Sequence, residues 1–167
     1  SDNSIILKNM TVERHSGSNT FYDYLVSKAN LNVTLENCLG YGGGRAMDTR
    51  ASATATVSFC TFYRLADNLG ILYDSEATIK NTYSGRASGT QQDFWTGGAA
   101  GSGSNNISSD TTATVDFTSS LNSKSPANQF VSLTAGSEDF HLKASSDCEA
   151  AGVTVSGITT DFEGDAR

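Results

Sequence analysis

The sequence predicts an all-β parallel solenoid of about five coils, followed by an irregular C-terminal segment. Three observations carry that expectation. Leu7-Lys8-Asn9-Met10, Leu35-Glu36-Asn37-Cys38, Val57-Ser58-Phe59-Cys60 and Ile79-Lys80-Asn81-Thr82 repeat one pattern at intervals of 28, 22 and 22 residues. A recurring period of this length marks a stacked repeat. Ile5, Val33, Ala55 and Ala77 stand two residues before the repeated apolar position, with Thr34, Glu36, Thr56, Ser58, Thr78 and Lys80 interleaved. Alternation with period two describes a strand that buries one face. A single proline and few helix-forming runs complete the all-β reading.

A strand of five or six residues cannot bury its apolar face alone, but one strand per coil, stacked at about 4.8 Å, builds a continuous parallel sheet. Twenty-odd residues per coil accommodate three short strands and their turns. Leucine-rich repeats share the period, but they need a Leu-x-x-Leu-x-Leu frame and a helical or 3₁₀ segment that this chain does not offer. A second sheet is expected from Tyr24-Leu25-Val26, Arg45-Ala46-Met47, Gly70-Ile71-Leu72-Tyr73 and Phe94-Trp95, each flanked by turn-forming residues. Asn9, Asn37 and Asn81 share one column, interrupted by Phe59. Asparagine tolerates a left-handed turn, and stacked amides can hydrogen-bond along a solenoid axis.

A fifth coil is expected through Ser84–Ser109, with Asn105-Asn106-Ile107 about one repeat after Asn81. The organisation is therefore residues 1–115 as coils and residues 116–167 as an irregular segment that wraps or caps the last coil. A coil that begins at Ile5 is expected to leave an open strand edge, covered by a preceding domain, a partner subunit or self-association.

The 167 residues suit one domain, and 37% hydrophobic content is enough for a narrow column. A net charge of −7 argues against nucleic acid and against anionic membranes as partners. No apolar run reaches the roughly 18 residues of a membrane helix. Three cysteines make no disulfide framework. Cys38 and Cys60 occupy equivalent positions in adjacent coils, where two buried thiols or a bridge are the alternatives.

Acid–base chemistry on a glycan needs paired carboxylates on one sheet. Asp23, Asp48 and Asp74 each follow a second-sheet strand and are expected to line up over successive coils, with Arg45, Arg50 and Arg64 nearby. The catalytic candidates, should the chain be an enzyme, are Asp48, Arg50 and Asp74. Asp161-Phe162-Glu163-Gly164-Asp165 alternates carboxylates as a Ca²⁺ loop does, making Asp161, Glu163 and Asp165 weak metal candidates, but the distant bidentate Glu of an EF-hand is missing. No other cofactor is indicated. His15 and His141 lie in no metal-spaced pair, and the Gly42-Gly43-Gly44 and Gly97-Gly98 runs read as turns. Among Tyr22, Tyr24, Tyr41, Tyr63, Tyr73, Phe94 and Trp95, the candidates for stacking on a sugar are Tyr73 and Trp95.

With Leu35-Glu36-Asn37-Cys38 and Val57-Ser58-Phe59-Cys60-Thr61-Phe62 in place, the chain resembles right-handed, single-stranded parallel β-helix proteins of the pectate-lyase-like superfamily over about residues 5–110. The stretch from Asp139-Phe140-His141-Leu142 through Ala151-Gly152-Val153 to Arg167 resembles the C-terminal segment of bacterial surface and phage virion β-helix proteins. Those carry an acidic residue two before the Gly, where this chain has Ala150. Resemblance to the lyases implies Ca²⁺-binding carboxylates and an Arg or Lys base, yet no lyase motif is matched residue by residue. Resemblance to the surface proteins implies a non-catalytic structural or adhesion module on a virion (capsid surface, fibre or spike) or a bacterial cell surface. Such a module presents loops to glycans or partner subunits, as a homotrimer in the simplest case. A polysaccharide lyase or glycosidase fragment and a carbohydrate-binding module are the alternatives.

Overall fold

The computed structural model describes residues 3–14, 31–49, 53–65, 69–73, 76–98 and 101–167. In chain order these hold β1 (Asn3–Lys8), β2 (Thr11–Arg14), β3 (Leu31–Glu36), β4 (Leu39–Gly42), β5 (Met47–Thr49), β6 (Thr54–Ser58), β7 (Thr61–Arg64), β8 (Ile71–Tyr73), β9 (Ala77–Lys80), β10 (Tyr83–Arg86), β11 (Phe94–Thr96), β12 (Gly101–Ser104), β13 (Ile107–Ser108), α1 (Ala113–Asp116), α2 (Pro126–Gln129), β14 (Phe130–Ser132) and β15 (Asp139–Leu142). Three parallel sheets enclose a column: β1-β3-β6-β9-β12, β2-β4-β7-β10-β13 and β5-β8-β11. The solenoid and its three strands per coil follow the repeat.

The register matches the repeat alignment. Ile5 pairs with Val33, Val33 with Ala55 and Ala55 with Ala77, while Leu7, Leu35, Val57 and Ile79 form the next inward column. Leu35, Val57 and Ile79 are wholly enclosed together with Phe62, Met47 and Ile71 from the other two sheets. Full burial of one such side chain contributes about 1.5–3 kcal/mol, so the stack of coils holds its own core.

About three complete turns are present among the described residues, fewer than the expected five coils, because the third sheet contains only β5, β8 and β11. β12 and β13 start a further coil, but on the third side the chain enters α1 in place of a strand, with Ala113 and Phe117 buried against the column. The expected strand Tyr24-Leu25-Val26 lies outside the described residues.

The bend between the first and second sheets is left-handed in every described coil: φ is 52° at Asn9, Asn37 and Asn81, 53° at Phe59 and 59° at Asn105. Asparagine tolerates this region because its side chain can bond locally, whereas Phe59 is held there by its neighbours. Gly103, with φ of 125°, faces the Ile79 carbonyl so closely that a Cβ would lie 1.9 Å from that oxygen, so no other residue fits between these rungs.

The C-terminal segment first meets the last coil, where Thr118 pairs with Ser104, Leu121 pairs with Ile107 and Phe117 is buried against Phe94. It then runs back lengthwise along the outer face of the second sheet, where Tyr83, Ile107 and Phe130 form a second buried cluster. Phe140 packs against Tyr41 (5.0 Å), Tyr63 (6.0 Å) and Phe130 (5.4 Å). Tyr63 flanks inward-facing Phe62, and with Tyr41 and Tyr83 it makes the outer face of the second sheet apolar enough to need a cover.

The expected ladder of stacked amides is corrected by the same segment. Asn105 Nδ2 donates to the Ala151 carbonyl (2.9 Å), Asn81 exchanges two bonds with Val153 (2.7 and 2.8 Å), and Asn37 Nδ2 donates to the Thr160 carbonyl (3.0 Å). Each amide is turned outward to hold one point of the tail. An extended chain has unpaired backbone groups that need these partners. At Phe59, where the amide is missing, the Arg167 guanidinium lies 4.0 Å from the ring centroid and also donates to Asn37 Oδ1 (3.1 Å).

Candidate functional site

A cleft of about 1020 Å³ lies between the Asn-bearing bend of the column and the C-terminal segment. Its column wall includes Cys38, Phe59, Cys60 and Asn81, and its tail wall includes His141 and Arg167. The bonds from Asn37, Asn81 and Asn105 to the tail cross this space and divide it.

One wall of the cleft is fastened by His141, the only described histidine. Its Nδ1 lies 2.6 Å from Asp139 Oδ1 and its Nε2 lies 2.9 Å from Glu163 Oε2, joining β15 to the end of the tail. The hydrogen bond with Asp139, then that with Glu163, raises the imidazole above its ordinary range. A raised histidine contributes stability that is fully present below about pH 6.5 and is lost as pH rises through the folded value. His141 is therefore expected to titrate above 6.5 by NMR, and Glu163→Gln to move that midpoint down; an unmoved midpoint would show that the bridge does not form in solution.

Two of the weak Ca²⁺ candidates have partners within the protein. Asp161 Oδ1 accepts the backbone N–H groups of Glu163 (3.0 Å) and Asp165 (2.9 Å), closing a local turn, and Glu163 faces His141. Among the described residues no group of three or more His, Cys, Asp or Glu side chains is placed to hold a metal ion.

Of the catalytic candidates, Arg50 and Asp74 lie outside the described residues. Asp48 is fully buried and paired with Arg45 at 2.5 Å. Its register neighbours are Leu72 and, one coil further, Trp95, and Asp23 and Asp74, the other members of the expected row, lie outside the described residues. Tyr73 is enclosed in the column and its hydroxyl donates to Asp116 Oδ2 (2.6 Å), leaving no ring face for a sugar. Trp95 alternates with buried Phe94, is partly exposed, and borders a hollow of about 140 Å³ with Gln92 and the exposed Val115.

Sequence reasoning missed a charge cluster inside the column. Arg64 points inward from β7 and pairs with Asp93, which also accepts Arg86 Nη1 (3.0 Å), Ser109 N–H (2.7 Å) and Ser109 O–H (2.6 Å). Asp110 Oδ2 accepts Arg86 Nη1 (3.1 Å) and Asp93 N–H (2.9 Å), and its Oδ1 accepts Thr112 N–H (2.9 Å). The available signal was the 22-residue interval between Arg64 and Arg86, which stand opposite each other in β7 and β10.

Fold and site together define a parallel β-solenoid whose C-terminal segment is latched lengthwise onto one face. No family model, curated protein or solved structure matches the chain significantly.

Proposed function

We propose that the chain is a non-catalytic structural and adhesion module of a phage virion or bacterial cell surface, whose column presents its sides to glycans and partner subunits. The carrying observation is the pairing of its interior charges. Asp48 is taken up by Arg45, Asp93 by Arg64 and Arg86, and Asp110 by Arg86. The Arg64–Asp93 and Arg86–Asp110 pairs brace one coil against the next, and Asp48 is held within its own coil, where a catalytic pair would have to face a substrate. The finer class, a right-handed pectate-lyase-like β-helix, rests on the repeat motif and on the strong preference of parallel crossovers for the right hand. A homotrimer, as the means of covering coil ends, belongs to the same reading.

Trp95 is the side chain in this reading that stacks on the glycan, because aromatic faces match the apolar faces of sugar rings. Immobilised bacterial and capsular polysaccharides are expected to retain the protein without being depolymerised. Trp95→Ala is expected to weaken retention about tenfold, the equivalent of roughly 1.4 kcal/mol. Unchanged retention would remove Trp95 from the contact, and release of shortened chains would overturn the non-catalytic assignment in favour of a lyase or glycosidase.

A further inference from the structure

The short helix that replaces a strand on the third side of the last coil brings a carboxylate to the surface beside Trp95. Ala113 in α1 is fully buried, and Phe117, four residues on, packs against Phe94 (5.4 Å) and Tyr73 (6.0 Å). That spacing puts both on one face of the turn, so Val115 is left exposed and Asp116 half-exposed between them. Both border the hollow of about 140 Å³ that Trp95 shares with the exposed Gln92. Asp48, Asp93 and Asp110 each hold an arginine, but Asp116 holds the hydroxyl of Tyr73, through Oδ2 (2.6 Å). Its Oδ1 has no partner among the described residues, and no Lys, Arg or His among them lines the hollow.

We propose that this hollow binds an amino sugar whose nitrogen is unacetylated, with the sugar ring lying on the Trp95 indole and the ammonium held by Asp116. The inference rests on the glycan-binding reading of Trp95 and adds the kind of sugar. Two of the walls favour the same charge. A carboxylate forms a charge-assisted hydrogen bond with an ammonium, and the negative face of an indole attracts a cation within about 6 Å of its centroid. A sugar acid would instead meet Asp116 with no cation in the hollow to offset the repulsion, on a chain whose net charge is −7. A hollow of about 140 Å³ is well below the roughly 300–1,000 Å³ of pockets that enclose whole ligands, so one ring is seated while the rest of the glycan stays in solvent. Gln92 at the rim offers an amide to a ring hydroxyl, and the Tyr73 hydroxyl fixes the carboxylate from the enclosed side. Acetylation of the sugar nitrogen removes its charge and adds bulk there, so it should weaken binding.

Trp95 is the single tryptophan of the chain, so its emission reports on the hollow directly. The test is a fluorescence titration of the full chain, in mildly acidic buffer, with the β-linked glucosamine disaccharide and with its N-acetylated counterpart. The free amine is expected to change the emission and to bind about tenfold more tightly than the acetylated form, an advantage that added salt reduces. Asp116→Asn, which keeps an oxygen for the Tyr73 hydroxyl, is expected to bind the two forms alike, with circular dichroism reporting the coils. Equal binding of both forms by the wild type, which needs no variant to fold, would overturn the ammonium assignment while leaving Trp95 a glycan contact. A preference that survives in Asp116→Asn would overturn it too. A short lysine peptide that binds as tightly as the free amine would make this a site for ammonium groups at large and overturn the sugar. Emission unmoved by either disaccharide would overturn the amino-sugar assignment, and retention of Trp95→Ala on polysaccharide then decides separately whether the indole contacts a glycan.

Discussion

Asp93→Ala is expected to lower the stability of the folded chain by about 3–5 kcal/mol, because it strands a buried guanidinium inside the column. Arg64 is 1% exposed and Asp93 0%, so water cannot take the place of the missing carboxylate without opening the coil. The substitution also deprives the N–H groups of Ser109 and Asp110 of their acceptor, Asp93 Oδ2, at 2.7 and 3.0 Å. Unsatisfied buried donors add roughly 1–3 kcal/mol to such losses. Denaturant unfolding measures the total. Adding Arg64→Met is expected to restore part of it; no recovery would place the damage in the Ser109–Asp110 turn.

The two carboxylates of this cluster respond to acid in opposite senses. Burial pushes Asp93 above the usual carboxylate range and outweighs its attraction to Arg64. Burial also pushes Asp110 up, but the hydrogen bonds from Thr112 and from the Asp93 N–H, with the bond from Arg86, outweigh it and hold Asp110 below that range. Asp110 therefore contributes stability that is fully present above about pH 3.9 and lost as pH falls through its lower folded value. Ionised Asp93 costs the fold stability as pH rises from about 3.9 through its higher folded value.

Phe130→Ala is expected to cost about 3–5 kcal/mol and to release the C-terminal segment from the column, as large-to-small changes at enclosed aromatics do. The ring is 2% exposed, meets Tyr83 edge-on at 5.0 Å and Phe140 at 5.4 Å, and so joins the column to the tail. Gln129 beside it holds Asp147, Ser146 and the Cys148 N–H, carrying the anchor further along the chain. Hydrogen exchange should show residues 148–167 losing protection while β6 and β9 keep theirs. A tail still protected in the variant would mean that the asparagine contacts hold it without the aromatic cluster.

The coils were legible because a strand's inward face is written locally. Leu35, Val57 and Ile79 recur at the rung interval with polar residues between them, and sterics turn that alternation into one buried column. The left-handed bend was equally readable from Asn37 and Asn81, whose side chains tolerate positive φ. Five coils were expected where about three turns close, because Gly101–Ser108 continues the pattern although the chain that follows turns into α1.

Local pattern was thus sufficient to specify a stacked parallel β column, its register and the buried position of its two central cysteines. Only the folded chain decided where the amides of Asn37, Asn81 and Asn105 would be spent, since their partners are carbonyls 123, 72 and 46 residues away. Only the fold brought Arg64 to Asp93 across 29 residues, and His141 to Glu163 across 22. A strand repeats its neighbour's environment at each rung, so its pattern is visible along the chain. A partner that crosses the column obeys no period, and its identity is set only when packing removes the alternatives.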